Sequence, residues 1–389
     1  MMTMRVEAEP AYRTAAANPY NALLADALVE HGARVRDLSY LRLALGRADI
    51  VHLHWPDLTF LSGHRMSIVR ARLFFFRNAL RLARLRGTRL VWTVHNLESH
   101  ESRATPVLRE RLHRMLVAEL DGLLALSASS LELARQRYPE LDALPGFVTP
   151  HGHYRAAYDW SLDRGRAREL LGVPAEGPLV VTVGQIRPYK NIPALLDAFS
   201  DVAVSGARLV VAGRPSSAEL AEDLRAAADG DPRVVLDLAF QSDERMAWWL
   251  RAADLVVLPY RAVLNSGSAI LALSADRPVL VPDLGSLTEL GEQLGAAWVR
   301  TFHGELSSAE LSDAIRWATE AGRPVTVDLD PLEWDTVAHQ TLEAYSAVRE
   351  HPRIPVSRRN VPPERQSATG SPIVPIADAT LVASPHTSP

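Results

Sequence analysis

The sequence predicts an α/β protein in which two Rossmann-like, doubly wound parallel-sheet domains face each other across a cleft. Short apolar runs rich in Val, Ile and Leu alternate with helical patterns along the chain, and this rhythm is typical of parallel strands buried on both faces. The runs are too numerous for one ordinary twisted sheet. The 389 residues also provide enough chain for two or three domains.

The predicted strands form two series, one in each half of the chain. The first series covers residues 33–38, 49–55, 89–95, 122–127 and 146–150, and the second covers 179–184, 207–213, 234–240, 255–260, 279–283 and 297–300. A linker, a helix and a turn are indicated at 150–178. We therefore predict a first domain over residues 1–150, a second over 151–332, a C-terminal helix over 333–350 and a disordered tail, rich in Pro, Ser and Thr, over 351–389.

Composition limits the class of protein. A formal net charge of −4 argues against a general nucleic-acid binder, and the absence of cysteine excludes disulfides. There is no run of about 18 apolar residues, and the first residues lack the apolar segment of a signal peptide. These features predict a cytoplasmic protein.

The loops that follow the strands carry the candidate sites, because ligands of open α/β sheets bind beyond the carboxyl ends of the strands. After the strand at 179–184 the sequence reads GQIRPYKNIPALLDAF. Gly184 ends the strand, and Arg187 and Lys190 lie in the loop before the next helix. Two cations beside a helix N-terminus favour an anion such as a diphosphate. The alternative is two solvated cations in a turn.

A second loop of the same half has an accessible backbone. It lies in LPYRAVLNSGSAILALSADRPVLVPD, where Asn265, Ser266, Gly267 and Ser268 precede a helix. The glycine permits close approach of the backbone, and the serines can cap the helix or donate hydroxyl hydrogen bonds. An ordinary N-cap is the alternative. Together with the loop of Arg187 and Lys190, this segment predicts a site for phosphate oxygens.

These two segments resemble motifs of the GT-B glycosyltransferases. GQIRPYKNIPALLDAF is similar to their G-R-x-x-x-x-K-G segment, and LPYRAVLNSGSAILALSADRPVLVPD is similar to their donor segment, P-Y-x-x-x-E-G-x-G-x-x-x-x-E-A-x-x-x-G-x-P-V. HLHWPD and WTVHN resemble first-domain loops of the same superfamily, especially of bacterial exopolysaccharide and glycolipid enzymes like the xanthan-pathway β-mannosyltransferase. The resemblance covers about residues 18–350.

The resemblance implies an acceptor site in the first domain and a nucleoside-diphosphate sugar in the second. Gly184, Arg187 and Lys190 would meet the diphosphate, and Asn265 and Ser266–Ser268 would support it through amides and hydroxyls. GT-B enzymes commonly stabilise the departing nucleoside diphosphate without a metal, and losing one such donor costs on the order of 10²–10³ in rate. The resemblance therefore implies no metal and no cofactor besides the sugar-nucleotide co-substrate.

The chain departs from the retaining pattern of this family at three positions. Val263 and Leu271 occupy the places of its paired glutamates, and Gln185 occupies the place of its usual arginine. Apolar side chains cannot bind a sugar hydroxyl, so the departures favour an inverting enzyme and leave ribose recognition unassigned. Glu289 is the candidate for the ribose, and a helix-surface carboxylate is the alternative.

An inverting transfer needs a general base near the acceptor hydroxyl. His95 ends the strand at 89–95, and Asp57 and Glu101 lie in neighbouring loops, so these three residues are the candidate catalytic bases. For His95 the alternative is a histidine satisfied at a strand end. His52 and His54 share one face of their strand, but without a third ligand nearby they predict no metal site.

Residues 64–89 combine many arginines with Phe74–Phe76. A basic amphipathic helix of this kind can lie on an anionic membrane. Such contact would suit a lipid-linked acceptor and a peripheral location at the inner face of the membrane. A helix with one packed face and one solvated arginine face is the alternative.

Together these features predict a metal-independent, inverting hexosyltransferase. Its candidate donor is GDP-mannose, and its acceptor is a saccharide or a lipid-linked molecule. A sugar-nucleotide epimerase of the same fold and a non-catalytic sugar-nucleotide-binding partner protein stay open as alternatives. A dehydrogenase is disfavoured because no G-x-G-x-x-G follows an early strand, and the lack of G-x-x-x-x-G-K-[ST] excludes a P-loop kinase.

Overall fold

Two six-stranded parallel sheets form the framework of the computed structural model, which describes residues 3–61, 66–97 and 105–354. The strands of the first sheet are β1 (Arg5–Glu9), β2 (Arg34–Asp37), β3 (Ile50–Leu53), β4 (Arg89–Val94), β5 (Gly122–Ala125) and β6 (Gly146–Val148). Their order across the sheet is β2-β1-β3-β4-β5-β6. The flanking helices are α1 (Tyr20–Glu30), α2 (Tyr40–Leu45), α3 (Pro56–Leu61), α4 (Met66–Arg84), α5 (Pro106–Glu119) and α6 (Ala128–Arg137).

The second sheet has the same doubly wound construction. Its strands are β7 (Leu179–Val183), β8 (Arg208–Ala212), β9 (Val234–Asp237), β10 (Leu255–Val257), β11 (Val279–Pro282) and β12 (Val299–Phe302), in the order β12-β11-β10-β7-β8-β9. Its helices are α7 (Arg164–Leu171), α8 (Ile192–Ser200), α9 (Ala218–Ala227), α10 (Asp243–Ala252), α11 (Gly267–Ser274), α12 (Ser286–Leu294) and α13 (Ser308–Thr319), and α14 (Trp334–Glu350) follows them in the chain. The predicted fold class is confirmed.

Strand β1 lies between β2 and β3 in the first sheet and is absent from the strands that the sequence predicts. Its sequence RVEAE alternates the apolar Val6 and Ala8 with Glu7 and Glu9. Glu7 accepts hydrogen bonds from Arg42 Nε at 3.0 Å and from the Ser39 N–H at 3.1 Å, and Glu9 pairs with Arg13. These partners come from outside the strand and compensate the buried charges, so the local sequence pattern does not show that the segment is a strand.

Strands β7 and β8 end on glycines because the loops that follow them cross at close range. A Cβ atom on Gly213 would lie 1.8 Å from the carbonyl oxygen of Gly184, and the two residues have φ angles of +154° and +114°. Only glycine fits this approach without moving the backbone. The glycine predicted to end the strand at 184 therefore serves the packing of two loops beside the cleft.

The chain crosses between the two domains twice, after β6 and before α14, and the two crossings are hydrogen-bonded to each other. The His153 N–H donates to the Leu332 carbonyl oxygen at 3.1 Å, and Trp334 Nε1–H donates to the His153 carbonyl oxygen at 2.7 Å. Helix α14 then packs in the first-domain core, where Tyr345 and Val348 are buried. The C-terminal helix predicted at 333–350 is thus observed, and it covers the first domain.

Among the described residues, no helix has both the length and the apolar character needed to cross a bilayer. Residues 355–389 of the predicted tail lie outside the described part of the chain, so their disorder stays a prediction.

Candidate active site

A cavity of about 670 Å³ lies between the two domains, at the carboxyl ends of both sheets. Its first-domain wall includes His54, Trp55 and Asp57, which follow β3 directly. Its second-domain wall is formed by the loops after β7, β8 and β9 and by the start of α11. This is the location that the doubly wound fold predicts for a ligand.

The loop after β7 brings a cation to this cavity. Lys190 ends a short 3₁₀ turn, and its Nζ lies over the Tyr260 ring, 5.7 Å from the centroid. It is the only lysine among the 42 lysines and arginines of the sequence. Desolvation, with a contribution from the Arg187 guanidinium, lowers the pKa of Lys190 below its usual value. Among the described residues, Lys190 has no carboxylate partner in an ion pair.

Residues 265–268 at the start of α11 (the serine loop) and residues 184–191 after β7 (the Lys190 loop) both contact Tyr260. Burial raises the pKa of Tyr260, and hydrogen bonds that its phenolic oxygen accepts from the Ser268 and Ser266 hydroxyls oppose that rise. Gly184, Arg187, Lys190, Gly267 and Ser268 all line the cavity. The predicted approach of the two loops is therefore seen in the structure, while their binding of a phosphate stays a prediction. Arg187 Nη2 donates to Gln185 Oε1 at 2.8 Å on the same wall.

Asn265 lies at the other end of the serine loop and contacts the first domain. Its Nδ2 donates to the His95 carbonyl oxygen at 3.2 Å, and its Oδ1 accepts from Ser130 Oγ at 3.0 Å. Asn265 and Ser266 line a second interdomain cavity of about 640 Å³. Ser266 Oγ also accepts from the Ala269 N–H at 3.2 Å as the N-cap of α11. Asn265 therefore makes an interdomain contact. It does not line the cavity that contains Lys190 (the Lys190 cavity), so its position does not support the predicted role at the donor.

Glu289 also joins the two domains. Its carboxylate accepts the Ala128 N–H at 2.8 Å and the Ser129 N–H at 2.7 Å, both at the start of α6. A carboxylate is stabilised there by unpaired amides and by the helix dipole. Glu289 lines the second cavity rather than the one that contains Lys190. This position favours an interdomain contact over the predicted contact with ribose.

His95 belongs to a buried group of rings at the ends of β3 and β4. His54 Nδ1 and His95 Nε2 are 3.0 Å apart, and the Trp55 ring stacks on His95 with centroids 4.5 Å apart. Desolvation, followed by the charges of His151 and His52, lowers the pKa of His95 well below its usual value. The ring is therefore neutral at physiological pH. His95 is held behind Trp55, and the cavity wall includes its neighbour Asn96 instead.

His52, two residues before His54 in the chain, belongs to the same group of rings. Thr93 Oγ1 lies 2.6 Å from its Nε2, and Tyr345 Oη of α14 lies 2.7 Å from its Nδ1. Desolvation lowers the pKa of His52 to about 3. No group of three or more potential metal ligands is found in the described parts of the chain.

Asp57 is in the first turn of α3 and is only 6% exposed. Its Oδ1 accepts from His113 Nε2 at 2.8 Å, and the other ring nitrogen of His113 lies 2.8 Å from Tyr138 Oη. Asp57 and His113 both line the Lys190 cavity. The third predicted base, Glu101, lies outside the described residues.

His113 is not among the predicted site residues, because its position in the sequence matches no motif and does not follow a predicted strand. It lies in the middle of α5, next to the buried Leu112, and not after a strand. A histidine on the apolar face of a helix is usually a core residue. Only the packing of α5 against α3 places it at the cleft.

Leu271 lines the cavity where the retaining pattern has a glutamate. Val263, at the other glutamate position, packs against the second-domain core. The wall at these two positions is therefore apolar, as the sequence indicated.

A family model described as "Glycosyl transferases group 1" matches residues 177–319, which include all of β7–β12 and both loops at Tyr260. Among curated proteins, GDP-mannose:glycolipid 4-beta-D-mannosyltransferase of Xanthomonas campestris pv. campestris is 32% identical over 328 residues, covering 84% of this chain and 88% of the relative. D-inositol 3-phosphate glycosyltransferase of Segniliparus rotundus is 27% identical over 321 residues, covering 77% of this chain and 66% of the relative.

Solved structures share the arrangement of two domains. HepE of Anabaena, determined with UDP and glucose, has a TM-score of 0.62 at 17% identity and covers 89% of this chain and 100% of its own. Sucrose-phosphate synthase of Thermosynechococcus elongatus has a TM-score of 0.56 at 17% identity and covers 89% and 95%. At such low identities the likeness shows the fold alone, and it confirms the predicted fold.

Proposed function

The chain belongs to the group 1 glycosyltransferases, and from this premise we propose that it transfers mannose from GDP-mannose to a glycolipid, with inversion and without a metal. That it is a hexosyltransferase follows from its family and its curated relatives. Both GDP-mannose and a glycolipid acceptor appear in the name of the relative that is 32% identical over 84% of this chain. That similarity extends over both domains, which supports carrying the donor and the acceptor over together.

The proposed donor diphosphate lies between Lys190 and the amides and hydroxyls of Gly267 and Ser268. The position of Lys190 is the observation that carries the proposal. The only lysine of the chain faces the same interdomain cavity as the buried Asp57 carboxylate. As the sugar leaves, negative charge develops on the diphosphate, and fixed positive charge beside it stabilises the transition state. Lys190 and Arg187 supply this charge from the protein, so the proposed reaction needs no metal ion.

Asp57 is the proposed general base. The acceptor oxygen attacks the anomeric carbon and forms the new glycosidic bond, while the bond from that carbon to the phosphate oxygen breaks. The electron pair of the broken bond leaves with GDP, and the hydroxyl proton passes to Asp57 Oδ2. His95 is less suited because it lies behind Trp55 and the neutral ring is already hydrogen-bonded to His54. Attack from the face opposite the diphosphate inverts the anomeric carbon.

A product assay tests the reaction and the base. The protein is incubated with GDP-mannose and a polyprenyl-diphosphate saccharide in the presence of EDTA, and the new linkage is analysed by NMR. We expect a β-mannoside, and we expect Asp57→Asn to lower kcat by about 10²–10⁴ with GDP affinity kept. Asp201→Asn, the same chemical change on an exposed surface, is the matched control. An α-linked product, loss of activity in EDTA, or full activity of Asp57→Asn would contradict the corresponding part of the proposal.

Incubation with GDP-mannose alone is the control for an epimerase. Formation of an isomeric sugar nucleotide without an acceptor would indicate epimerisation of the donor instead of transfer.

The outward face of α4 is the proposed contact with the membrane that holds the acceptor. Its inner face is buried through Val69, Phe76 and Leu80, whereas Phe74 and Phe75 on the outer face are 63% and 58% exposed. Leu82, Leu85, Arg70 and Arg81 are exposed as well, and so are Leu41 and Leu45 of α2, the helix that packs against α4. Exposed aromatic and aliphatic side chains beside arginines are complementary to an anionic lipid surface.

Flotation with lipid vesicles tests the membrane contact. We expect the protein to float with vesicles that contain anionic phospholipid and not with neutral vesicles, because arginines add about 1 kcal/mol each near an anionic surface. The double change Phe74→Ser and Phe75→Ser should reduce flotation severalfold while transfer to a water-soluble acceptor analogue stays unchanged. Val325→Ser, which removes a 90% exposed apolar side chain from the second domain, is the control. Unchanged flotation of the double variant would exclude α4 as the contact surface.

A further inference from the structure

We propose that His113 and Tyr138 are positioning residues that hold Asp57 as a carboxylate with one oxygen directed to the acceptor. This inference rests on the proposed function, because it assigns a role to residues that act through its general base. Nothing in the sequence motifs points to either residue. The three hydrogen-bonding groups come from three different parts of the first domain.

The three side chains form a continuous buried relay. Tyr138 Oη lies 2.8 Å from His113 Nδ1, and His113 Nε2 lies 2.8 Å from Asp57 Oδ1. The relay starts at Tyr138, the residue that follows α6, passes through the middle of α5 and ends in the first turn of α3. His113 is 5% exposed and Tyr138 is 3% exposed. Solvent therefore has little access to the hydrogen bonds that fix Asp57.

The partners determine where the protons lie. An ionised carboxylate can only accept, so His113 must carry a proton on Nε2 to donate to Asp57. A neutral ring then has a lone pair on Nδ1, which accepts the Tyr138 hydroxyl proton. Each group in the relay has one donor facing one acceptor. Such an arrangement orients the imidazole in the way that a carboxylate or carbonyl orients a catalytic or metal-bound histidine.

The same geometry separates the positioning group from the base. Both ring nitrogens of His113 are already hydrogen-bonded, so the ring has no free lone pair to take a proton from an acceptor. Asp57 uses Oδ1 for His113, and among the described residues its Oδ2 has no hydrogen-bond partner. Since Asp57 lines the cavity, Oδ2 is the basic atom of the relay that an acceptor hydroxyl can reach.

The rest of α3 keeps this arrangement rigid. Phe60 and Leu61 of the same helix are buried in the first-domain core. The Trp92 ring meets the His113 ring edge to face, with centroids 5.8 Å apart. The carboxylate is thus held on a short helix that is fixed by packing below and by a hydrogen bond at the side, which is how a preorganised site is built.

The split between kcat and KM distinguishes positioning from simple packing. A carboxylate that loses the hydrogen bond on one oxygen can turn its other oxygen away from the acceptor. For His113→Phe we therefore expect kcat to fall by about 10²-fold, with KM for GDP-mannose unchanged. His113→Gln keeps an N–H near the position of Nε2 and should restore most of kcat. Tyr138→Phe should lower kcat in the same direction as His113→Phe, but less.

The titratable groups that line this cavity with Asp57 are His54, His113, Tyr154, Tyr158, Arg187, Tyr189, Lys190, Arg214 and Asp243. The variants leave all of them except His113 unchanged. His52→Gln, at a fully buried histidine outside the cavity, controls for lost stability and should keep kcat near the wild-type value. A wild-type kcat in His113→Phe with intact GDP binding would overturn the assignment.

A spectroscopic measurement separates this inference from the proposed function. In protein labelled with ¹⁵N-histidine, the signals of His113, identified by their loss in His113→Gln, should show the tautomer protonated on Nε2. Asp57→Ala should abolish that preference. This result would keep the relay even if no mannosyl transfer were found, whereas an Nδ1-protonated His113 would refute the relay even in an active transferase.

Discussion

At the scale of single residues, Lys190 is the most informative side chain of the cleft. An ammonium is a compact charge with three donors, and a guanidinium is a wider planar group. All the other residues among the 42 lysines and arginines of this chain are arginines, yet a lysine lies over Tyr260, beside the serine loop. Burial lowers the pKa of Lys190 because it removes part of the water around the ammonium. A bound diphosphate would replace the missing solvation.

Selective acylation can test this role, because the chain offers only one lysine. We expect an amine-reactive ester at about pH 8 to modify Lys190 and the α-amino group, with Lys190 reacting faster than an ordinary lysine since its lowered pKa leaves more neutral amine. GDP should protect Lys190 and not the α-amino group, as read by peptide mass spectrometry. Lys190→Ala should weaken GDP binding more than guanosine binding and lower the transfer rate by about 10²–10³.

Lys190→Arg is the matched control, since it keeps the charge and changes the shape. It should retain more GDP affinity than Lys190→Ala. Modification that proceeds equally fast with and without GDP would remove Lys190 from the diphosphate site.

At the scale of elements, two buried neutral histidines, one within β3 and one in the segment after β6, make the fold sensitive to acid. Burial lowers the pKa of His52 to about 3 and of His151 to about 4, while an unfolded histidine titrates near 6.5. Below pH 6.5 the unfolded chain binds protons that the folded chain does not bind. Stability is therefore fully present above about pH 6.5 and is lost as the pH falls towards the folded-state values.

We expect the free energy of unfolding to decrease below pH 6.5 by up to about 1.4 kcal/mol per pH unit for each such histidine. Denaturant unfolding between pH 7 and pH 5 measures this slope. His52→Gln removes one proton uptake, so its slope should be smaller by about that amount even though its stability at pH 7 is also lower. An identical slope in the variant would mean that His52 already binds its proton in the folded state.

The same scale shows what the sequence could and could not predict. Apolar runs and the residues after them were enough to predict eleven of the twelve strands and the approach of the Lys190 loop to the serine loop. Strand β1 was missed because Glu7 and Glu9 interrupt its apolar pattern and their partners lie elsewhere. His113 was missed because a helix histidine becomes a cleft residue only through the packing of α5 on α3.

At the scale of the whole molecule, the serine loop connects the donor side of the cleft to the first domain. Ser268 lies on the Lys190 cavity, while Asn265, three residues earlier, is bonded to the end of β4. Glu289 adds a second contact at α6. The sequence could indicate that these residues lie near a helix start, but which domain each side chain faces depends on the docking of two separately folded sheets.

The paired crossings between the halves restrict how the protein can open. Because the His153 N–H is bonded to the Leu332 carbonyl and Trp334 is bonded back to His153, shearing or twisting one half against the other would break these bonds. Rotation about a line through both segments keeps them, although it separates Asn265 from the end of β4 and Glu289 from α6. Release of the nucleotide product should therefore involve a hinge rotation of the two domains about an axis near residues 153 and 332.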